Sequence, residues 1–449
     1  MTKEIDLKNE RIAYLFFYYF FPSLLSMLSL STHAIVDGFF VAHALGKDAV
    51  SALGITWPIF PALIACELLF SVGGSAMIAF YLGKGEKHKA REFFSSIVYF
   101  VLVFGLFASL ILYFYTREIS IFLGSSENLL DLVSEYLSII FAGVFVMFLH
   151  PVLDMFAVND RAPRLAMISM VIASVGNIVF NYIFLFIFNL GIYASALSTI
   201  LGSIVAISVL LWHFLSKRGD LYFIPSFSLS KIFQSAKNGL PACASEISAS
   251  IVMLLYNLTL MHIVGERGVL IYTIVMYGGI VFFTILLSVA QGVQPIASFN
   301  YGAMEMARVR GIYRFALMFS FIVSSILYGL FFIFGEDFIR AFLSSEDISN
   351  DASLVGEIVF AMRIWFIAYW AIGLHMVTSI FLQSVQRPIG ALIITICYTI
   401  GFTALLLPIL SQNYGIVGAW ATYPISAFLT LFVLAGVLLY EKKKGVFSK

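Results

Sequence analysis

The chain has 449 residues, 61% hydrophobic and 11% charged, with a formal net charge of +1 and a mean hydropathy of +0.99. A soluble domain carries about 25% charged residues, so a water-soluble fold is excluded and no nucleic-acid partner is expected. Apolar runs of roughly 20 residues recur along the whole length, each able to cross a hydrocarbon core of about 30 Å, and the dyad alternation that marks an outer-membrane barrel is absent. The expected fold class is therefore an all-α polytopic membrane protein in contact with a lipid bilayer.

Residues 1–11 are polar and read as a retained cytoplasmic tail, because the apolar run behind them is too long for a signal-peptide core. Twelve spans fit, at roughly 12–44, 49–82, 93–116, 133–157, 163–188, 191–215, 234–264, 268–301, 311–335, 354–384, 388–411 and 414–440. Pro22, Pro58, Pro61, Pro151, Pro241 and Pro295 are the expected bending points, with Pro22 and Pro241 as hinges. The tail, alternate connections and C-terminus together hold 21 of the 26 Lys and Arg, including Lys84, Lys87, Lys89 and Arg91 in GKGEKHKARE. The positive-inside rule then puts both termini in the cytoplasm and the chain in a cell (inner) membrane. Cys66, Cys243 and Cys397 lie in apolar runs with no metal spacing and read as small membrane-buried residues.

The polar, basic stretch 216–233 divides the chain into an N-lobe (1–215) and a C-lobe (234–449) of six spans each. Shifted by 219 residues, the sequence repeats without a gap from about 22 to 91: Pro22 falls on Pro241, His43 on His262, Gly46 on Gly265, Gly73 on Gly292, Phe80 on Phe299, Gly83 on Gly302 and Arg91 on Arg310. Shared glycines and prolines imply shared turns and bends. An even number of spans per lobe makes the repeat parallel, so the two six-helix bundles are expected to be related by a pseudo-two-fold along the membrane normal. A weaker echo pairs GIYASA (191–196) with GIVGAW (415–420), small residues that let helices approach closely.

Ionisable residues inside spans cost roughly 2.5–3.5 kcal/mol each on insertion scales, so each demands a reason. Asp37 follows about 25 mostly apolar residues on the first span and faces Tyr256 in the repeat. Burial disfavours its anion and makes proton uptake accessible, and His33, four residues earlier on the same face, could share the proton or simply pack. Glu67 is mid-depth on the second span, opposite Leu286 in the repeat, and Glu246 follows Pro241 on the seventh. Each is either cavity-facing or held by a neighbouring helix or interface. His150 and Asp154 flank Pro151 near the end of the fourth span and are expected at a solvated interface, and Arg363 is expected to stabilise the outer end of the tenth. Asn177 and Asn181 lie one turn apart on the fifth span. They are either interhelical glue or, with Thr199, an oxygen-lined pocket around Asp37 that either H⁺ or Na⁺ would neutralise.

Several stretches resemble one transporter family over nearly the whole length: QGVQPIASFNYGA at 291–303, its N-lobe counterpart GGSAMIAFYLGKG at 73–85, FLQ at 381–383, GIVGAWATYP at 415–424, and Pro22 with Asp37 on span one. They are similar to the multidrug and toxic compound extrusion (MATE) family of the MOP flippase superfamily. The resemblance implies two six-helix bundles, alternating access, and export of cationic or amphiphilic small molecules driven by H⁺ or Na⁺, with no further cofactor and no resident metal, by a monomer. It places Asp37, Asn177 and Thr199 in the ion site. Asn181 departs from the pattern, since many members carry an aspartate there. Glu67, Tyr256, Glu246, Gln291 and Gln294 are the candidate wall of the substrate cavity. The alternatives are a flippase of the same superfamily for a lipid-linked saccharide or lipid, against which only Arg363 offers a basic group within the spans, and an intramembrane enzyme, for which no nucleophile or metal constellation is present.

Overall fold

The structure, a computed structural model, describes residues 6–45, 47–123, 125, 127–342 and 352–443, and among them all regular structure is helical. In chain order the helices are α1 (Ile12–Leu45), α2 (Lys47–Thr56), α3 (Ile59–Gly83), α4 (Lys87–Phe114), α5 (Thr116–Phe122), α6 (Glu127–Ala142), α7 (Val144–Asn159), α8 (Pro163–Tyr182), α9 (Tyr193–Leu215), α10 (Leu229–Val264), α11 (Glu266–Gly302), α12 (Met306–Phe342), α13 (Ala352–Trp365), α14 (Ala368–Ser384), α15 (Pro388–Ile396) and α16 (Phe402–Lys443). A chain this apolar folds as helices because only there does every backbone group in lipid find a partner within its own segment.

Among the described residues, nine helical stretches are long and apolar enough to cross a membrane, and two more spans are bent pairs: Leu130–Ala142 with Val144–Asn159 (48°), and Ser353–Trp365 with Ala368–Ser384 (41°). The stretch Pro388–Lys443 is itself broken at Gly415, whose φ of 58° and ψ of −140° no other residue type adopts easily. Dividing it there separates the crossings expected at 388–411 and 414–440, and the expected twelve are all accounted for.

The irregularities repeat as the glycines do. The bent pairs are the fourth span of each lobe, and π-helical turns occupy Ile183–Ile187 and Cys397–Gly401, in the fifth span of each. A π-helical turn leaves one carbonyl out of register and lets a helix widen locally. Pro22 and Pro241 stand inside helices, α1 and α10, that continue through them.

The chain packs as two units, one of the residues through Glu246 together with Ser298–Glu305, the other of Ile247–Ala297 with the residues from Met306 onward. The division between these packing units falls inside α10. The reason is close helix approach at small residues. A Cβ on Gly73 would strike the Ser235 carbonyl, and one on Gly239 the backbone of Leu69, so α3 and the first half of α10 nearly touch. A Cβ on Gly83 would strike the Phe299 carbonyl, and one on Gly302 the Phe80 carbonyl. Phe80 and Phe299, like Gly83 and Gly302, are equivalent in the 219-residue repeat, so the sequence symmetry is also a reciprocal backbone contact.

Only 216–228 of the connector is irregular, because α10 already starts at Leu229. It is strapped down: Ser95 Oγ accepts the Ile224 N–H (3.0 Å) and Ser96 Oγ the Ser228 N–H (3.1 Å). Lys87 pairs with Asp220 at 2.6 Å and the Arg91 guanidinium lies over the Tyr222 ring. Asp160, in the turn after α7, accepts the N–H groups of Asp220 (2.7 Å) and Leu221 (2.9 Å) and meets His213 Nε2 at 2.8 Å. Burial pushes the Asp160 carboxyl above its ordinary value, and the His213 ring and the two amides oppose that push. In the second unit, Tyr256, Tyr272, Trp365, Trp420 and Tyr423 pack ring on ring as the core.

Because Gly83 and Gly302 meet backbone rather than flexible side chains, Gly83→Ala and Gly302→Ala should each destabilise by about 1–3 kcal/mol. Melting of the purified protein in detergent reads this as a lowered Tm. Gly436→Ala, where an added Cβ meets nothing within 4 Å, should leave Tm unchanged or slightly raised.

Candidate ion-coupling site

Asp37 lies on α1, and its carboxylate is held by two helices that pack against α1 and each other. Ser195 Oγ of α9 donates to Oδ1 at 2.8 Å and lies 3.0 Å from Oδ2, while Asn181 Nδ2 of α8 donates a short hydrogen bond to Oδ1. One turn away, Asn177 Nδ2 donates to Thr199 Oγ1 at 2.9 Å, and Thr199 Oγ1 donates to the Ser195 carbonyl at 3.2 Å. Helical spacing makes this local: Asn177 and Asn181, and likewise Ser195 and Thr199, are four apart and share a face. Gly176 and Gly202 let α8 and α9 approach closely enough for the two faces to meet, since a Cβ on Gly202 would collide with the Ala173 carbonyl.

The four residues Asp37, Asn177, Asn181 and Thr199 are thus brought together as one hydrogen-bonded group. Asn177, Asn181 and Ser195 are buried, and the Oδ1 atoms of both asparagines accept no hydrogen bond. Ser195 is the member that sequence reasoning missed. The signal was present, since it stands one turn before Thr199 inside GIYASA, but small residues there were read only as packing. The side chain of His33 lies outside the described residues.

The remaining candidates are dispersed. Glu67 of α3 is 6% exposed, and its Oε1 accepts no hydrogen bond. Glu246 is half-buried on α10. Tyr256 is fully buried against Tyr272 and Trp365, so in this conformation its ring belongs to the second unit's core and not to a cavity wall. Gln294 is buried with Nε2 unpaired, and Gln291 is half-buried. Arg363 is exposed and lies over the Phe332 ring. His150 and Asp154 correct the expectation of a solvated interface: they are 5% and 8% exposed, because α3, α4 and α8 enclose α7 where they stand.

The MatE family profile matches residues 22–183 and 241–409. The chain belongs to the MatE family. It is a multi-pass membrane transporter and not an enzyme. The multidrug export protein MepA of Staphylococcus saprophyticus is 25% identical over 436 residues, covering 94% of both chains. A solved outward-facing multidrug resistance MATE transporter superposes with a TM-score of 0.89 at 22% identity, covering 98% of this chain and 99% of its own. A MOP superfamily transporter from Pyrococcus furiosus superposes with a TM-score of 0.90 at 21% identity over the full length of both. At these identities the solved structures speak for the fold.

Replacing the Asn181 amide, which donates to Asp37, by a carboxylate puts two like charges in one site unless a cation bridges them. Asn181→Asp should therefore acquire a Tm that rises with NaCl and not with choline chloride, as a site that binds only the folded state requires. The parent protein should show a smaller difference between the two salts.

Proposed function

We propose that this transporter is a multidrug exporter that exchanges protons for cationic or amphiphilic compounds across a cell membrane, with both termini on the cytoplasmic side. The observation that carries the reading is the Asp37 carboxylate, reached inside the membrane by donors from Asn181 and Ser195 and, among the described residues, by no cationic side chain. Family membership and the multidrug-export relatives support the cargo class.

Donor geometry favours H⁺ over Na⁺ as the coupling ion. A sodium ion needs acceptor oxygens turned toward it, whereas Asn181 and Ser195 turn N–H and O–H groups onto the carboxylate. A proton needs a single oxygen, and Oδ2, contacted only by Ser195 at 3.0 Å, is the freer one. Proton entry from outside neutralises Asp37, weakens its hold on α8 and α9, and lets α1 rearrange about Pro22. That change closes the N-lobe part of the cavity and releases cargo outward. Loss of the proton to the cytoplasm restores the starting packing, with the difference in affinity between the two states driving the cycle.

The decisive measurement is export of a cationic dye from proteoliposomes under an imposed pH or Na⁺ gradient. The wild type should respond to the pH gradient, and Asp37→Asn should fall to the background of protein-free vesicles. Equal transport by the variant would refute the mechanism, and a response to Na⁺ alone would transfer the coupling to sodium.

A further inference from the structure

A second group of buried ionisable side chains lies in the first unit, away from Asp37. On α7, His150 Nε2 is 3.6 Å from Asp154 Oδ2 and 3.0 Å from Ser169 Oγ of α8. The Asn159 amide clamps α3 by donating to the carbonyl (2.9 Å) and hydroxyl (2.6 Å) of Ser75. This clamp fixes the register: Asp154 stands five residues before Asn159, about 7.5 Å along α7, and Glu67 eight before Ser75, about 12 Å along α3. Glu67 and Asp154 therefore lie within roughly one turn of each other in depth and are within electrostatic reach, as are Glu67 and Glu246 of α10.

Two observations call for a ligand. Glu67 and Asp154 are more than nine-tenths buried, and Glu67 Oε1 and Asp154 Oδ1 each lack a hydrogen-bond partner. Among the described residues, no lysine or arginine pairs with either carboxylate. Each carboxyl thus keeps one unpartnered oxygen in a low-dielectric interior, where an uncompensated charge is costly. No set of three His, Cys, Asp or Glu side chains among the described residues is arranged to hold a metal ion.

The basic residues of the elements packed on α7 are engaged elsewhere: on α4, Lys87 pairs with Asp220, Lys89 with Glu86 and Arg91 lies over Tyr222, and on α8 Arg164 lies over the Tyr18 ring. α4 contributes Phe94 and Phe104, stacked near Phe156 and Phe148. The His213 ring of α9 is engaged by Asp160 beyond the end of α7. On α6, Asp131 pairs with Arg117, and Glu135 lies beside Gly191 at the opposite end of the lobe. The Cys66 thiol stands next to Glu67 on α3, and the Cys243 thiol is within electrostatic reach of it. Ser169 and Asn181 are twelve residues apart on α8, about 18 Å of helix, so this cluster and the Asp37 group are separate sites on one helix.

We infer that Glu67, His150 and Asp154 form a second proton-binding site of the N-lobe, which holds a proton on Glu67 Oε1 or Asp154 Oδ1 in the resting protein and releases it during the transport cycle. The ligand is a proton and nothing else; binding forms an O–H bond on one carboxylate, and His150 with Ser169 offers the hydrogen-bonded route by which it leaves. The inference goes beyond the Asp37 mechanism and does not require it, since its first test involves no transport.

That test is a pH-difference infrared spectrum of the protein in lipid nanodiscs, read at the protonated carboxyl C=O stretch. Glu67→Gln and Asp154→Asn should each shift or remove a band that Asp37→Asn leaves in place, and the double variant should remove it entirely. A double variant with the wild-type spectrum would overturn the inference. His150→Gln guards against a double variant that does not fold: it should displace the titration midpoint of the same bands, and an unmoved midpoint would equally overturn the site. Proton counts per exported dye then distinguish the two sites. Asp37→Asn should abolish export altogether, whereas Glu67→Gln should lower the number of protons moved per dye molecule exported, and an unchanged count would exclude release during the cycle.

Discussion

Everything in this chain answers to one constraint: inside the bilayer a polar group without a protein partner has no water to turn to. Asp37 meets it by drawing in Asn181 and Ser195, and through them the Asn177–Thr199 pair. These hydrogen bonds tie α1 to α8 and α9, so the charge state of one carboxylate is linked to the packing of three helices. Remove the charge and the reason for that packing weakens. A carboxylate held by neutral donors from two helices is in this sense a structural clamp, and the proposed ion coupling rests on that property.

The two units solve the same packing problem with different side chains. Where the N-lobe has Asp37, the C-lobe has Tyr256, sealed among Tyr272, Trp365, Trp420 and Tyr423. Aromatic packing of this kind is apolar and insensitive to protons. The backbone features nevertheless match: spans four and ten both bend, spans five and eleven both carry a π-helical turn, and Gly83 and Gly302 meet each other's repeat partners. Symmetry survives in the backbone, and asymmetry resides in the ionisable groups.

Much of the fold was legible because its signals are local. Apolar runs of a fixed minimum length, prolines, glycines and basic connections report on their own segments, and they located twelve crossings and the repeat. Asp37 was also within reach as an ionisable residue in an apolar run, Asn177 and Asn181 because four-residue spacing puts both on one face, and Thr199 as a hydroxyl on the next span that the family resemblance places beside them. Ser195 escaped because a serine among small residues looks the same whether it packs or donates. His150 and Asp154 were misjudged for a related reason: nearness to a span's end says nothing about which helices enclose it.

The sequence by itself therefore determined the helical class, the number of crossings, the internal repeat and the identity of the charge that must be accommodated, since each follows from residue type and spacing along one chain. Only the tertiary structure decided which helices share a unit, that the first half of α10 packs with α3, that the connector is strapped to α4, and which buried carboxylates find donors. Those outcomes depend on the distance between residues far apart in the chain, set by where glycines permit contact, and no pattern within a single segment encodes that distance.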